Sequence, residues 1–374
     1  MTQYAPADEA GIQEVVADAF RARTPLLVQG AGTKLSMLRA VQAAHTLSTA
    51  GCAGITLYAP NELIVSARAG TTLADLQATL AQSGQHMIAE PPDYSRLLGA
   101  TGQQTLGGIA ATNLSGPRRI AGGAVRDHVL GVRAVNGAGE LIKSGGRVLK
   151  NVTGLDMCKL LCGSHGTLAV MTELTLKVLP APEDTASVVL RGQAPEAAIA
   201  ALSAALGSPY GVSGAAYLPA GAAALLGETG ALTLARIEDF AASVSYRSER
   251  LRQDLAEFGA GEIWPAARSR DAWTAICDAD VLSAADVGAT FEEVGGKADG
   301  DGGGMRRVGD DRGTRHGSVT WGVDRRSDAR RRGLDRAARA GAVAWRGADG
   351  ARRGTAAGEN FSAGEGGDGP RGDR

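Results

Sequence analysis

The sequence predicts an α+β protein, and three observations carry that expectation. In residues 1–182 strand-like runs outnumber the helices between them, the pattern of an α+β domain rather than of a doubly wound parallel sheet. Residues 184–290 read strand, helix, strand, strand, helix, the order of a small ferredoxin-like α+β unit. The chain has 374 residues, room for two domains at roughly 150 residues each. The expected division is 1–182, then 183–290, then a Gly/Arg-rich low-complexity tail over 291–374.

Taken in order, Ile12, Val15, Val16, Ala19 and Phe20 fall at helical spacing. Thr24-Pro25 ends that helix, and Leu26-Leu27-Val28 reads as a short strand entering Gln29-Gly30-Ala31-Gly32-Thr33-Lys34. Such a strand and loop suit backbone N–H groups converging on an anion, or a plain turn. The loop lacks the third glycine of the dinucleotide fingerprint and the Gly-Lys-Ser/Thr of a P-loop. Strands follow at Ile55–Tyr58 and Leu63–Ala67. Thr72 with Asp75 caps a helix from Leu73 to Ser83, and Glu90-Pro91-Pro92-Asp93 is expected to be extended.

The stretch from Thr105 to Pro180 organises the rest. It opens with small residues, Thr105 to Ser115, and ends that run at Gly116-Pro117-Arg118-Arg119. An apolar strand from Arg126 to Val135 reaches a turn at Asn136-Gly137, a helix spans Asp156 to Cys162, and a strand runs from Ala169 to Leu179. Glycine is the residue that lets a ligand approach the main chain. Beyond it the pattern gives strands at Val188–Arg191, Gly211–Leu218 and Ala231–Ile237, with helices at Pro195–Leu206 and Ser243–Phe258.

Composition narrows the function classes. A net charge of -1 argues against a dedicated nucleic-acid binder. No apolar run approaches ~18 residues, so no transmembrane helix is expected. Met1 to Ala10 lacks the basic-then-apolar order of a signal peptide, and a cytoplasmic location is expected. The four cysteines, Cys52, Cys158, Cys162 and Cys277, imply no disulfide framework; Cys158 and Cys162 share one helix face and read as buried thiols. Residues 291–374 contain one Leu and no Ile. They cannot bury enough apolar surface to offset their ordering entropy. Two readings apply: a natural disordered tail, or a reading-frame shift near Val287 to Glu293 in a G+C-rich gene.

Four motifs then combine: Pro25 to Thr33, the Thr105-x-Gly107-Gly108 run, Asn151-Val152-Thr153-Gly154-x-Asp156, and Gly163-Ser164-x-Gly166-Thr167. In that order the chain resembles the PCMH-type FAD-binding flavoproteins, the vanillyl-alcohol-oxidase-like group. Ser115 to Arg119, Val125 to Gly131 and Lys150-Asn151-Val152 look more specifically like the E-type FAD-binding subunits of bacterial glycolate oxidases. The resemblance covers about residues 5 to 220 and fades to about 290. It implies two α+β subdomains with FAD between them, followed by a small, incomplete ferredoxin-like cap. By that analogy Gly30, Ala31, Gly32 and Thr33 would cradle the pyrophosphate. Pro91, Thr105, Gly107, Gly108, Asn113 and Gly116 would line the pyrophosphate and flavin, and the backbone near Gly166 and Val170 would meet its other side.

Three departures from the family pattern matter. Leu155 stands where a Tyr is usual. Ala31 stands where bicovalent relatives carry His, so non-covalent FAD is expected. The family's closing Asn-Pro-Gly segment does not occur. Oxidising a 2-hydroxy acid takes a base, a carboxylate clamp and a flavin that accepts hydride. Arg118, Arg119 and Arg126 are candidate clamps, with structural ion pairing as the bland alternative. His128 is a candidate base, and His165 reads as a turn residue. The only later histidine is His316, so no metal site is expected.

The resemblance implies a subunit of a glycolate-oxidising complex, whose partners would be a second FAD-binding subunit and an iron–sulfur subunit. The complex could associate peripherally with a membrane. A stand-alone D-lactate or 2-hydroxy acid dehydrogenase is the alternative. A third reading is an assembly subunit whose flavin never turns over.

Overall fold

The computed structural model describes residues 2–37, 41–147 and 155–282. Lys150, the Asn151-Val152-Thr153-Gly154 motif, His316 and all of 291–374 lie outside the described residues.

The chain begins with β1 (Thr2–Tyr4), α1 (Glu9–Ala22), β2 (Leu26–Gln29) and β3 (His45–Ser48), whose strands form a parallel sheet in the order β1-β3-β2. Helix α1 starts where the Asp8 carboxylate accepts the Gly11 N–H at 2.9 Å, and it stops at Arg23, which turns left-handed at φ 53°. Its inner face places Ile12 and Val16 against Leu47, Cys52, Val135 and Val170. Arg133 holds Glu9 bidentately, and that hydrogen bond keeps the Glu9 carboxyl below its usual range. Helix and main sheet are thereby tied.

The main sheet follows. Its elements are β4 (Ile55–Ala59), β5 (Ile64–Arg68), α2 (Leu73–Ala81), β6 (Gln85–His86), α3 (Ser95–Leu98), α4 (Leu106–Thr112), α5 (Arg119–Gly122) and α6 (Val125–His128). Then come β7 (Val129–Asn136), β8 (Leu141–Gly145), α7 (Met157–Leu161), β9 (Ala169–Lys177) and β10 (Leu179–Pro180). Five strands make an antiparallel sheet, β4-β5-β9-β7-β8, and β10 pairs with β6 beside it. Leu76, Leu80, Leu106, Ile109, Leu161, Leu174 and Leu176 fill the core between that sheet and α2, α4 and α7. Each such buried side chain contributes about 1.5–3 kcal/mol.

Two local readings change here, at Arg126 to His128 and at Glu90, and one run left without a secondary-structure expectation becomes a helix. The run after Thr105 is a helix, α4, although two glycines and a threonine give it poor propensity. Burial of Leu106, Ile109 and Ala110 overrides that preference. Residues 125–128, expected to begin a strand, form one helical turn, because Asp127 Oδ2 accepts the Ala124 N–H and Asn113 Oδ1 accepts that of Arg126, each at 2.9 Å. Glu90, expected in an extended run, sits at φ 48°.

The remaining described elements are β11 (Asp184–Arg191), α8 (Pro195–Gly207), β12 (Val212–Leu218), α9 (Ala220–Ala224), β13 (Leu232–Asp239), α10 (Ala241–Asp254), β14 (Gly261–Trp264) and α11 (Ala266–Cys277). Their antiparallel sheet has the order β12-β13-β11-β14. The final strand and helix extend the pattern read from the sequence. Trp264 and Trp273 anchor them, and Trp273 Nε1 donates to Ser187 Oγ at 2.8 Å. All four cysteines are buried free thiols. Burial raises their pKa values, that of Cys162 to about 12.

Candidate functional site

Three segments distant in sequence meet where β2 ends. Thr49 donates its N–H to the Gln29 carbonyl at 2.8 Å, and Ser48 Oγ donates to the Gly30 carbonyl at 2.9 Å, so the base of the 30–34 loop is fixed. Thr105 lies against Gly30 so closely that a side chain there would stand 2.1 Å from its hydroxyl. Gly32 turns the loop at φ 77°. The turn before β9 completes the meeting: Gly163 and His165 donate to the carbonyls of Ala110 and Ala111, and Gly166 faces Val28. Asn113 packs beside Gly163.

The loop's own donors are open. Among the described residues the N–H groups of Ala31, Gly32 and Thr33 meet no protein acceptor, an unusual condition for a backbone that is not fully exposed. Lys34 stands next to them, its Nζ donating to Gln104 Oε1 at 2.8 Å. Burial lowers the Lys34 pKa and the Asp93 charge opposes that shift. The loop therefore offers backbone donors and one ammonium to an anion.

Gln104 also lines a cavity of about 730 Å³. Leu73, Met87 and Pro91 supply apolar wall, Gln77 and Gln103 supply amides, and Thr274 and Cys277 of α11 close the far side. That size suits a flat ligand of cofactor dimensions. His86 lines the same space, and burial followed by the Arg118 charge depresses its pKa to about 4.

At the rim stands a closed ring of four charges. Arg118 grips Glu238 through Nε at 3.0 Å and Nη2 at 2.9 Å. Arg236 grips Glu90 at 2.8 and 2.9 Å. Arg236 also reaches Glu238 at 3.2 Å, and Arg118 reaches Glu90 at 3.4 Å. Ser213 Oγ donates to Glu238 at 2.7 Å, and the Trp273 ring lies 4.7 Å from the Arg236 guanidinium carbon. Burial alone would raise the Glu238 pKa; the Arg118 hydrogen bond and the charges of Arg236 and Arg118 outweigh it and hold it at about 2. The ring joins the segments around Glu90 and Arg118 to β13.

The structure thus gathers Gly30, Ala31, Gly32, Thr33, Thr105 and Gly166 around one loop, with Gly108 one helical turn inside α4. Pro91 is in the cavity wall. Gly107 and Gly116 are committed to packing: a side chain at Gly107 would run into Ala69 at 2.9 Å, and one at Gly116 into the Glu90 carbonyl at 2.2 Å. The Val170 side chain lies in the core beside α1. Arg118 is held by two carboxylates, while Arg119 and Arg126 are exposed. His128 is 6% exposed with neither ring nitrogen in a hydrogen bond of ordinary geometry, and burial lowers its pKa. Glu90, Arg236 and Glu238 were not singled out in the sequence. For Arg236 and Glu238 the signal was an Arg and a Glu two apart in strand β13; Glu90 gave none.

A parallel sheet and an antiparallel sheet flank the anion-seeking loop. Residues 4–145 match the family model described as FAD binding domain. The chain is similar to glycolate oxidase subunit GlcE from Escherichia coli (strain K12), 42% identical over 47% of this chain and 48% of the relative. It is also similar to glycolate oxidase subunit GlcD from Bacillus subtilis (strain 168), at 28% identity over 48% and 37% of the two chains. A solved alkyldihydroxyacetonephosphate synthase superposes with a TM-score of 0.57, 16% identity and coverage of 74% of this chain and 55% of that one, a likeness of fold. The chain spans about half the length, or less, of these curated relatives.

Proposed function

We propose that this chain holds FAD non-covalently as a subunit of a complex that oxidises glycolate or a related 2-hydroxy acid. The observation that carries the reading is the open donor set of Ala31, Gly32 and Thr33, with Lys34 of the same loop bonded to Gln104 in the wall of the 730 Å³ cavity. Those N–H groups would take the pyrophosphate, with Lys34 as counter-charge and Thr105 and Gly108 beside it. The cavity wall of Leu73, Met87 and Pro91 would take the flavin ring. The flavin, when bound, supplies a two-electron acceptor. Ala31 offers no imidazole for covalent attachment.

In this reading residues 1–182 are the FAD-binding domain and 183–290 a partial cap. The strand order β12-β13-β11-β14 supports a ferredoxin-like description of that cap. A second FAD-binding subunit and an iron–sulfur subunit complete the assembly. The similarity to the two glycolate oxidase subunits supports the first of these partners. Among the described residues no helix is long and apolar enough to cross a membrane; the proposed site of action is the cytoplasm, with any membrane contact made through the complex.

One observation favours reading the isolated chain as a flavin holder that does not turn over alone. Arg118, the candidate clamp that reaches the large cavity, is already bound to Glu238 and Glu90. The test is direct. The purified chain should carry flavin absorbance that acid releases, and dye-linked glycolate oxidation should require the companion subunits. A folded protein that cannot be loaded with FAD would overturn the cofactor assignment; full turnover by the single chain would overturn the partner dependence.

A further inference from the structure

A second cavity, of about 310 Å³, lies on the other side of the charge ring and shares Glu90, Arg118 and Thr274 with the first. Its polar groups differ in kind. In the larger cavity the acidic side chains Glu90, Asp93 and Asp278 face one arginine, Arg118, which is already paired. An anion gains nothing there. In the smaller cavity Arg118 and Arg236 neutralise Glu90 and Glu238 within the ring, and beyond the ring the wall carries one carboxylate, Asp184, and one cation. That cation is Arg270 on α11, which makes no ion pair or hydrogen bond among the described residues.

A second, independent observation comes from β11. Thr185 lines the same cavity, is 3% exposed, and its Oγ1 is buried without a hydrogen-bond partner. An orphaned hydroxyl costs about 1–3 kcal/mol relative to a satisfied one, so its place in a cavity wall marks a position for a ligand atom. Thr185 precedes Ser187 by two residues, which puts it on the strand face that Ser187 turns toward Trp273 and Ser269 of α11. Arg270 belongs to that same helix. The Asp184 carboxylate, also in the wall, is turned to the Thr185 N–H at 2.8 Å.

We infer that this smaller cavity binds a short-chain carboxylate, with the Arg270 guanidinium as its charge partner and the Thr185 hydroxyl as a hydrogen-bond donor. A free guanidinium takes a carboxylate through two parallel N–H bonds. The inference rests on the proposed function for the identity of the acid, a 2-hydroxy acid in a cavity that adjoins the cofactor cavity at Glu90, Arg118 and Thr274. Arg270 is then the specificity determinant, and Arg118 is a structural ring member.

Calorimetric titration of the full chain with oxalate, and separately with glycolate, tests this, with FAD content read from absorbance on the same samples. Binding is expected with and without FAD. Arg270→Gln should weaken it about tenfold or more, Thr185→Val several-fold, and uncharged glycolamide should not bind. Arg270 is exposed and unpaired, so its substitution should leave the thermal midpoint unchanged. Two outcomes overturn the site: a folded wild-type chain that binds neither acid, or affinity that Arg270→Gln leaves intact. Failure to load FAD while oxalate still binds through Arg270 would overturn the proposed function and leave the carboxylate site standing.

Discussion

Two polar regions stand within reach of the same cavity and are built on opposite rules. In the ring of Arg118, Glu238, Arg236 and Glu90 every charge meets an opposite one, several of them bidentately. In the 30–34 loop three successive N–H groups meet no protein acceptor among the described residues. A buried polar group that is fully satisfied fixes structure; one left open is available to something else. The ring therefore belongs to the fold, and the loop's open donors support its proposed role toward a ligand, though both are dense in polar atoms.

The comparison breaks most easily at the ring. Glu238→Ala leaves Arg118 and Arg236 without one of their two partners, and loss of one member of a buried pair costs about 3–5 kcal/mol. Urea unfolding should show that loss. A change within experimental error would mean the ring is not structural. Acid should produce a related effect. Glu238 is held at about 2 in the fold, below the ordinary value near 4.3. Its contribution is complete above the ordinary value and fades as pH falls toward about 2. His86 acts in the same direction earlier. Its folded pKa of about 4 lies below the ordinary value near 6.5, so the unfolded chain takes up the proton first and stability falls between the two. Denaturation midpoints across pH 7 to 3 should decline in both windows, and Glu238→Gln should flatten the lower one.

A smaller effect separates two adjacent glycines. Gly107→Ala forces a methyl group to within 2.9 Å of Ala69 and should destabilise by about 1–3 kcal/mol. A methyl at Gly108 meets only the Thr105 hydroxyl at 3.4 Å. Gly108→Ala should leave the melting temperature alone and act, if at all, on FAD affinity. The reverse pattern would assign Gly107 to the ligand. The smallest expected effect belongs to the loop itself: Lys34→Gln should weaken FAD about tenfold in a fluorescence titration, with the unfolding midpoint unchanged.

Much of the fold was legible because local chemistry and tertiary demand agree. The Thr72 cap and Asp75 announce α2, and the Asn136 side chain, accepting from Ala138 and Glu140, turns β7 into β8 as its sequence suggests. Helix α4 was not legible, since packing on Ala69 rather than propensity makes it a helix. The 30–34 loop could be read as an anion cradle or a turn; only the fold shows which N–H groups stay open. Ring partners lie 120 and 146 positions apart, and no local pattern links Arg118 to Glu238 or Glu90 to Arg236. The glycine motif also ran together two jobs. Gly32 turns a loop, while Gly107 and Gly116 make room for neighbouring backbone.

The four buried thiols are distributed in a way that makes the protein its own reporter. Cys52 sits in the core under α1, Cys158 and Cys162 in the core of the main sheet, and Cys277 where α11 meets the Glu90 carbonyl at 3.4 Å. Cys52, Cys158 and Cys162 are neither accessible nor acidic enough to react while their surroundings stay shut. The order in which an alkylating reagent captures them in native buffer is therefore the order in which these regions open. Cys277 of α11, the last described helix, lines the large cavity, so its labelling rate reports access to that cavity ahead of any global unfolding.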